Sequence, residues 1–180
     1  MKLSTVLQIL FAITITSWML WLTIGSATQP KVAYVHSEYL FEKYLGTIES
    51  YKTLEAKNQQ WGTNLDSLSK SYRATFASYE TKQEALDEKE KEALGYKLRQ
   101  QEAAFNNYHQ SVEKMKLEED QKLTQAVIKQ MDAYLKEYAL ENGYDLIIGA
   151  GGTSSLVYGG ENYDVTESAL TFINKKYRGE

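Results

Sequence analysis

The sequence predicts an α+β protein, mainly α. A small β-barrel or sheet body, completed by trimerisation, carries a long antiparallel helical hairpin as a coiled-coil arm. Residues 48–141 contain no proline and only two glycines, Gly62 and Gly95. Apolar residues recur there at three- and four-residue spacing. Short apolar, β-rich runs stand on either side of that block.

The first arm is carried by Tyr51, Leu54, Asn58, Trp61, Leu65, Leu68, Tyr72, Thr75, Tyr79, Lys82 and Leu86, an a/d seam with polar interruptions. A second run follows through Leu94, Leu98, Gln101, Phe105, Tyr108, Val112 and Met115. The step from Leu86 to Leu94 breaks the phase of the stripe, and the charged DEKEKEA between them predicts a solvated tip near Glu84 to Lys91. A single rod with a phase slip is the alternative, since the tip lacks a Gly or Pro breaker. Beyond Glu119 the apolar set broadens to Leu123, Ala126, Val127, Ile128, Met131, Tyr134, Leu135, Tyr138 and Leu140, so that end is covered on more than one side.

Before the arm, residues 31–35 (KVAYV) read as a strand buried on both faces. Ser37 is the expected cap of the helix that follows, and Gly46 the expected kink where it enters the arm. After the arm, Asn142-Gly143 is the helix C-cap and residues 144–148 a second strand. Leu156-Val157-Tyr158 reads as a third strand, bounded by glycines. Asp164 with Glu167, or Thr166, caps a last helix with Leu170, Ile173 and Tyr177 on its buried face. The divisions are therefore residues 1–27, 28–47, 48–142 and 143–180.

Three short strands fall below the usual four to six of a sheet, yet they are apolar on both faces. Strands from several copies closing one barrel resolve this, with Val32, Tyr34, Val35, Leu146, Ile147, Ile148, Leu156 and Val157 in the shared body. Residues 3–24 carry no charged side chain and follow Lys2. They form either an export signal cleaved near Gly25-Ser26-Ala27 or a membrane anchor, and both take the rest of the chain out of the cytoplasm.

Twenty basic against 24 acidic residues give a net charge of −4 and a pI near 5.4, which argues against nucleic acid as a partner. The chain has no cysteine, so disulfides, thiolate metal sites, Cys nucleophiles and an acylated lipoprotein start are excluded. Gly149-Ala150-Gly151-Gly152 follows a strand but lacks the Lys of a phosphate loop, and reads as turn glycines. His36 and His109 have no companions at metal-ligand spacing, and Glu88, Glu90 and Glu92 read as a solvated tip. No catalytic constellation or cofactor motif is present, which predicts a non-enzyme without cofactor or metal.

The chain has 14 tyrosines, side chains suited to a partly wet contact face. Tyr51, Tyr72, Tyr79 and Tyr108 belong to the seam, whereas Trp61, Phe76 and Phe105 are large for a tight two-helix seam. Trp61, Phe76, Tyr79 and Phe105 are the candidate contacts to an apolar partner.

The order of KVAYVHSEYLF, a long hairpin, YDLIIGAGG, LVYGG and DVTESALTFINKKY resembles the Skp (OmpH) family of periplasmic chaperones over about residues 31–178. The resemblance implies a homotrimer with a β-barrel body and arms around a cavity. It also implies an ATP-independent holdase for unfolded outer-membrane β-barrel proteins. Arms in that family are strongly basic, whereas this chain is acidic, which weighs against capture by charge and against lipopolysaccharide binding. The alternative is a structural or tethering protein, a coiled coil held at the inner membrane by residues 3–24.

Overall fold

The computed structural model describes residues 11–21, 29–151 and 156–180. Its largest feature is the expected hairpin. A short helix, α1 (Ser37–Lys43), leads into α2 (Leu45–Lys82), and α3 (Glu88–Asn142) returns. At about 1.5 Å per residue, α2 is roughly 57 Å long and α3 roughly 82 Å, so the last third of α3 overshoots into the body. Most of the predicted seam is the less exposed stripe of both helices: Leu54 and Val112 are buried and Trp61, Leu65, Leu68, Tyr72, Leu98, Phe105 and Tyr108 half-buried, whereas Tyr51 and Lys82 at its two ends are exposed.

The tip is shorter than predicted, Gln83 to Asp87, because α3 starts inside the charged run. Its start is fixed by a capping box. The Glu90 amide donates to Asp87 Oδ1 at 2.8 Å, and the Asp87 amide donates to Glu90 Oε2 at 3.1 Å. Glu90 is therefore a structural residue, and the turn needs neither Gly nor Pro. Asp87→Ala is expected to cost about 1 kcal/mol locally and to raise amide exchange in the first turn of α3, leaving the body unchanged.

The body is built on a parallel pair, β1 (Val32–His36) and β2 (Leu146–Ala150), in the register Val32 to Leu146 through His36 to Ala150. Parallel neighbours require a crossover, and here the whole hairpin serves as that crossover. Both strands lie one or two residues later than predicted. A final helix, α4 (Thr166–Arg178), closes the core with the lower part of α3. Ala33, Val35, Leu40, Tyr44, Val127, Met131, Tyr138, Val165, Ala169 and Ile173 form that core.

Tyr44 is its pivot. It is fully buried, sits edge-on to Tyr177 with ring centroids 5.5 Å apart, and donates its hydroxyl to Gln130 Oε1 at 2.9 Å. Its extended backbone (φ −66°, ψ 127°) separates α1 from α2, so the predicted kink lies at Tyr44 rather than Gly46. Gly46 is inside α2, and a Cβ there would collide with the Tyr44 ring. Glycine is used at this position for close approach, not for bending.

Other local expectations are corrected as well. Ser37 does not cap α1: His36 is at the cap position with no side-chain hydrogen bond. Neither predicted cap of α4 forms. Val165 occupies the cap position, and Asp164 Oδ1 instead accepts from the Thr166 amide at 2.9 Å and from its hydroxyl. Gly143 does cap α3, in the left-handed region at φ 67°. Leu156-Val157-Tyr158 is not a strand, because the outer edge of β1 is occupied by residues 164–166. The Val165 amide donates to the Tyr34 carbonyl at 3.0 Å and the His36 amide to Thr166 Oγ1 at 3.0 Å. Residues 11–21 are helical and exposed. No helix among the described residues is long and apolar enough to cross a membrane. The rest of the predicted signal or anchor and its cleavage positions lie outside the described residues.

Candidate functional site

Polar contacts across the hairpin set its register. Lys57 Nζ donates to Glu119 Oε2 at 2.6 Å, Asn64 Nδ2 to the Tyr108 hydroxyl at 2.9 Å, and Gln101 Nε2 to Ser71 Oγ at 2.8 Å. The hydrogen bond and charge of Lys57 hold the Glu119 carboxyl below its usual range. Past Leu54 and Val112, toward the tip, no side chain of either arm helix is fully buried. The distal arm is consequently a two-helix structure whose apolar seam stays accessible on both flanks.

On that arm Trp61, Tyr79 and Phe105 are half-buried at the seam, and Phe76 lies off it at 41% exposure. Phe76 stacks on Tyr72 with centroids 6.1 Å apart, and Phe105 stacks on His109 at 6.1 Å. A groove of about 230 Å³ opens between the helices, lined by Ser69, Tyr72, Glu102, Phe105 and Asn106. Tyr72 and Phe105 thus share one groove, with Phe76 stacked on its rim. Exposed Tyr96 and Leu117 extend the apolar surface. Both sit two residues off a seam position, so a search confined to a/d positions misses them.

The body presents a second apolar surface. Among the described residues, no segment pairs with the outer edge of β2. An open groove of about 320 Å³ runs between Val35 and Ile147 on the sheet and Met131, Leu135 and Ala139 on α3, with Ser37, Asp132 and Lys136 also in its lining. A neighbouring groove continues past Met131 to Phe41 and Ile128. Of the predicted body residues, Tyr34 and Val35 are buried and Val32, Ile147 and Ile148 half-buried. Leu146 is half-exposed, Leu156 half-buried and Val157 almost wholly exposed.

His36 has a partner that spacing in the sequence did not reveal: its Nε2 lies 3.6 Å from Asp164 Oδ2. Desolvation raises the Asp164 carboxyl, but the Thr166 hydrogen bonds and His36 outweigh it and hold the group below its ordinary 3.8. A depressed carboxyl contributes stability above its unfolded value, and that contribution is lost as pH falls through the folded value. Asp164→Asn is therefore expected to lower the melting temperature at pH 7, with a difference from the parent chain that shrinks as pH falls through the folded value of the carboxyl.

The family model for outer membrane protein (OmpH-like) matches residues 31–173. A crystal structure of an OmpH-like candidate outer membrane chaperone from Caulobacter crescentus is similar to the fold, with a TM-score of 0.73 and 13% identity. The alignment covers 83% of this chain and 86% of that one. No curated protein matches the sequence.

Proposed function

The chain belongs to the OmpH-like outer membrane protein family, and from this we propose that it is a periplasmic chaperone, an ATP-independent holdase for unfolded outer-membrane proteins. The observation that carries this is the distal arm, whose apolar seam and flanking aromatic residues stay half-exposed along both helices. Such a surface retains an unfolded chain through many weak, non-directional apolar contacts. By binding the unfolded state it keeps that state from aggregating. Trp61, Phe76, Tyr79 and Phe105 are the proposed client contacts, joined by Tyr96.

We propose a homotrimer as the working form. The edge of β2, unpaired among the described residues, the open grooves between the sheet and α3 and exposed Val157 support this, because an unpaired edge is stabilised by further copies. The arms then surround a common space. The acidic balance of this chain makes apolar and aromatic contact, rather than charge, the main source of affinity.

The test is light scattering of an outer-membrane β-barrel protein diluted from urea. The chain is expected to suppress aggregation without ATP, and equally well at 0.5 M NaCl, where charge attraction is screened to within about 4 Å. Unchanged aggregation would overturn the holdase assignment. A tether with a fixed folded partner would instead lose binding on single surface substitutions.

Gly62 and Gly95 lie within the arm helices, and a Cβ at Gly62 meets nothing within 4 Å. Replacing both with Ala is expected to stabilise each helix by about 1 kcal/mol. Amide exchange in the arms should slow, and the range of client sizes accepted should narrow.

A further inference from the structure

We propose that the distal part of the arm, residues 62–108, opens along its seam while the root and the body stay folded, and that an unfolded client enters between the parted helices. The root and the distal part are joined in different ways. At the root Leu54 and Val112 are buried, and the Tyr51 and Thr124 hydroxyls meet at 3.3 Å. Lys57 with Glu119, also at the root, is the only ion pair between the two arm helices among the described residues. Farther out, Lys70 pairs with Asp66 and Lys91 with Glu88, each within one helix.

The distal seam has none of these fastenings. No residue between 62 and 108 is buried. The cross-helix hydrogen bonds there, Asn64 to Tyr108 and Gln101 to Ser71, join neutral side chains, and water can replace both partners. Thr75 and Gln101 occupy seam positions and are half-buried, and polar seam residues weaken helix pairing. Gln101 carries a second signal. Its Nε2 reaches Ser71, but its Oε1 is shielded from solvent and accepts from no group among the described residues. Asn58 Oδ1, on the root side of the boundary, is in the same condition. A shielded oxygen without a donor costs free energy, and contact with water on opening returns it.

Long helices in water owe most of their stability to the face they pack. Parting the distal seam therefore loosens the backbone of both helices together. It also uncovers Leu65, Leu68, Leu98 and Phe105, which are half-buried in the closed arm. An apolar client segment then takes the place of the partner helix against these side chains. Client entry rests on the holdase function, whereas the opening does not.

The experiment measures hydrogen exchange of the full chain without client. Amides of residues 62–82 and 88–108 are expected to share one degree of protection, about 100-fold below that of the body. Distal amides as protected as those of the body would overturn the opening. Ser71→Cys with Gln101→Cys then places one thiol on each helix of a chain that has no other cysteine, and a short bismethanethiosulfonate bridges them until it is reduced. The bridge should raise protection in both helices, which separate fraying of each helix would not show. It should also weaken binding of an outer-membrane β-barrel protein diluted from urea about tenfold, with recovery on reduction, because the open form is the one that binds. Equal affinity of the bridged and reduced forms would overturn client entry between the helices. A reduced chain that binds no client would overturn the holdase function itself, and the exchange measurement would still decide the opening.

Discussion

Tyr44→Ala is expected to destabilise the body by about 3–5 kcal/mol, the range for removing a fully buried aromatic ring. The ring fills the junction of α1, α2, α3 and α4, packs edge-on against Tyr177 and rests on the bare backbone of Gly46. Truncation leaves a cavity that two long helices cannot collapse without shifting their crossing. Against a typical stability of 5–15 kcal/mol, such a loss is large. Tyr44→Phe separates packing from hydrogen bonding: it removes only the bond to Gln130, which is itself exposed and can turn to water. Its cost is expected near 1 kcal/mol. Urea denaturation followed by circular dichroism reads both variants, and equal costs would show that packing at Tyr44 is not what fixes the arm to the body.

The second large effect concerns clients. Replacing Trp61, Phe76 and Phe105 together with Ala is expected to weaken binding of an unfolded outer-membrane protein by about 10- to 100-fold. That follows from about 0.5–1 kcal/mol for each partly exposed ring. Phe76→Ser alone changes an exposed side chain outside the seam. It should lower affinity about threefold with helicity unchanged. This single variant separates client contact from arm stability, and fluorescence titration at two salt concentrations gives the values. An unchanged dissociation constant for the triple variant would remove these rings from the client surface.

Much of the arm was legible in the sequence because a two-helix seam writes itself as a 3,4 spacing, and most of the residues so spaced are the less exposed ones. The tip was half legible. Its phase break between Leu86 and Leu94 revealed a hairpin, but D-x-x-E at Asp87 and Glu90 is a helix start that charge alone disguised. The body was less legible. Composition identifies residues 31–35 and 144–148 as strand-forming, one or two residues early, yet it cannot say that they pair in parallel, since that depends on where a long crossover returns. Leu156-Val157-Tyr158 has strand composition without a strand because residues 164–166 already occupy the outer edge of β1. Tyr44 and Gly46 show a similar limit: a glycine near a helix junction signals a bend or a close contact, and only the fold decides which. Tyr96 and Leu117 escaped because exposed apolar residues off the seam carry no periodic signal.

Native mass spectrometry of the full chain in detergent, before and after addition of an outer-membrane β-barrel protein diluted from urea, tests the central claim most directly. A trimer that takes up one unfolded client is the expected result. A monomer, or a trimer that leaves the client unbound, would contradict it.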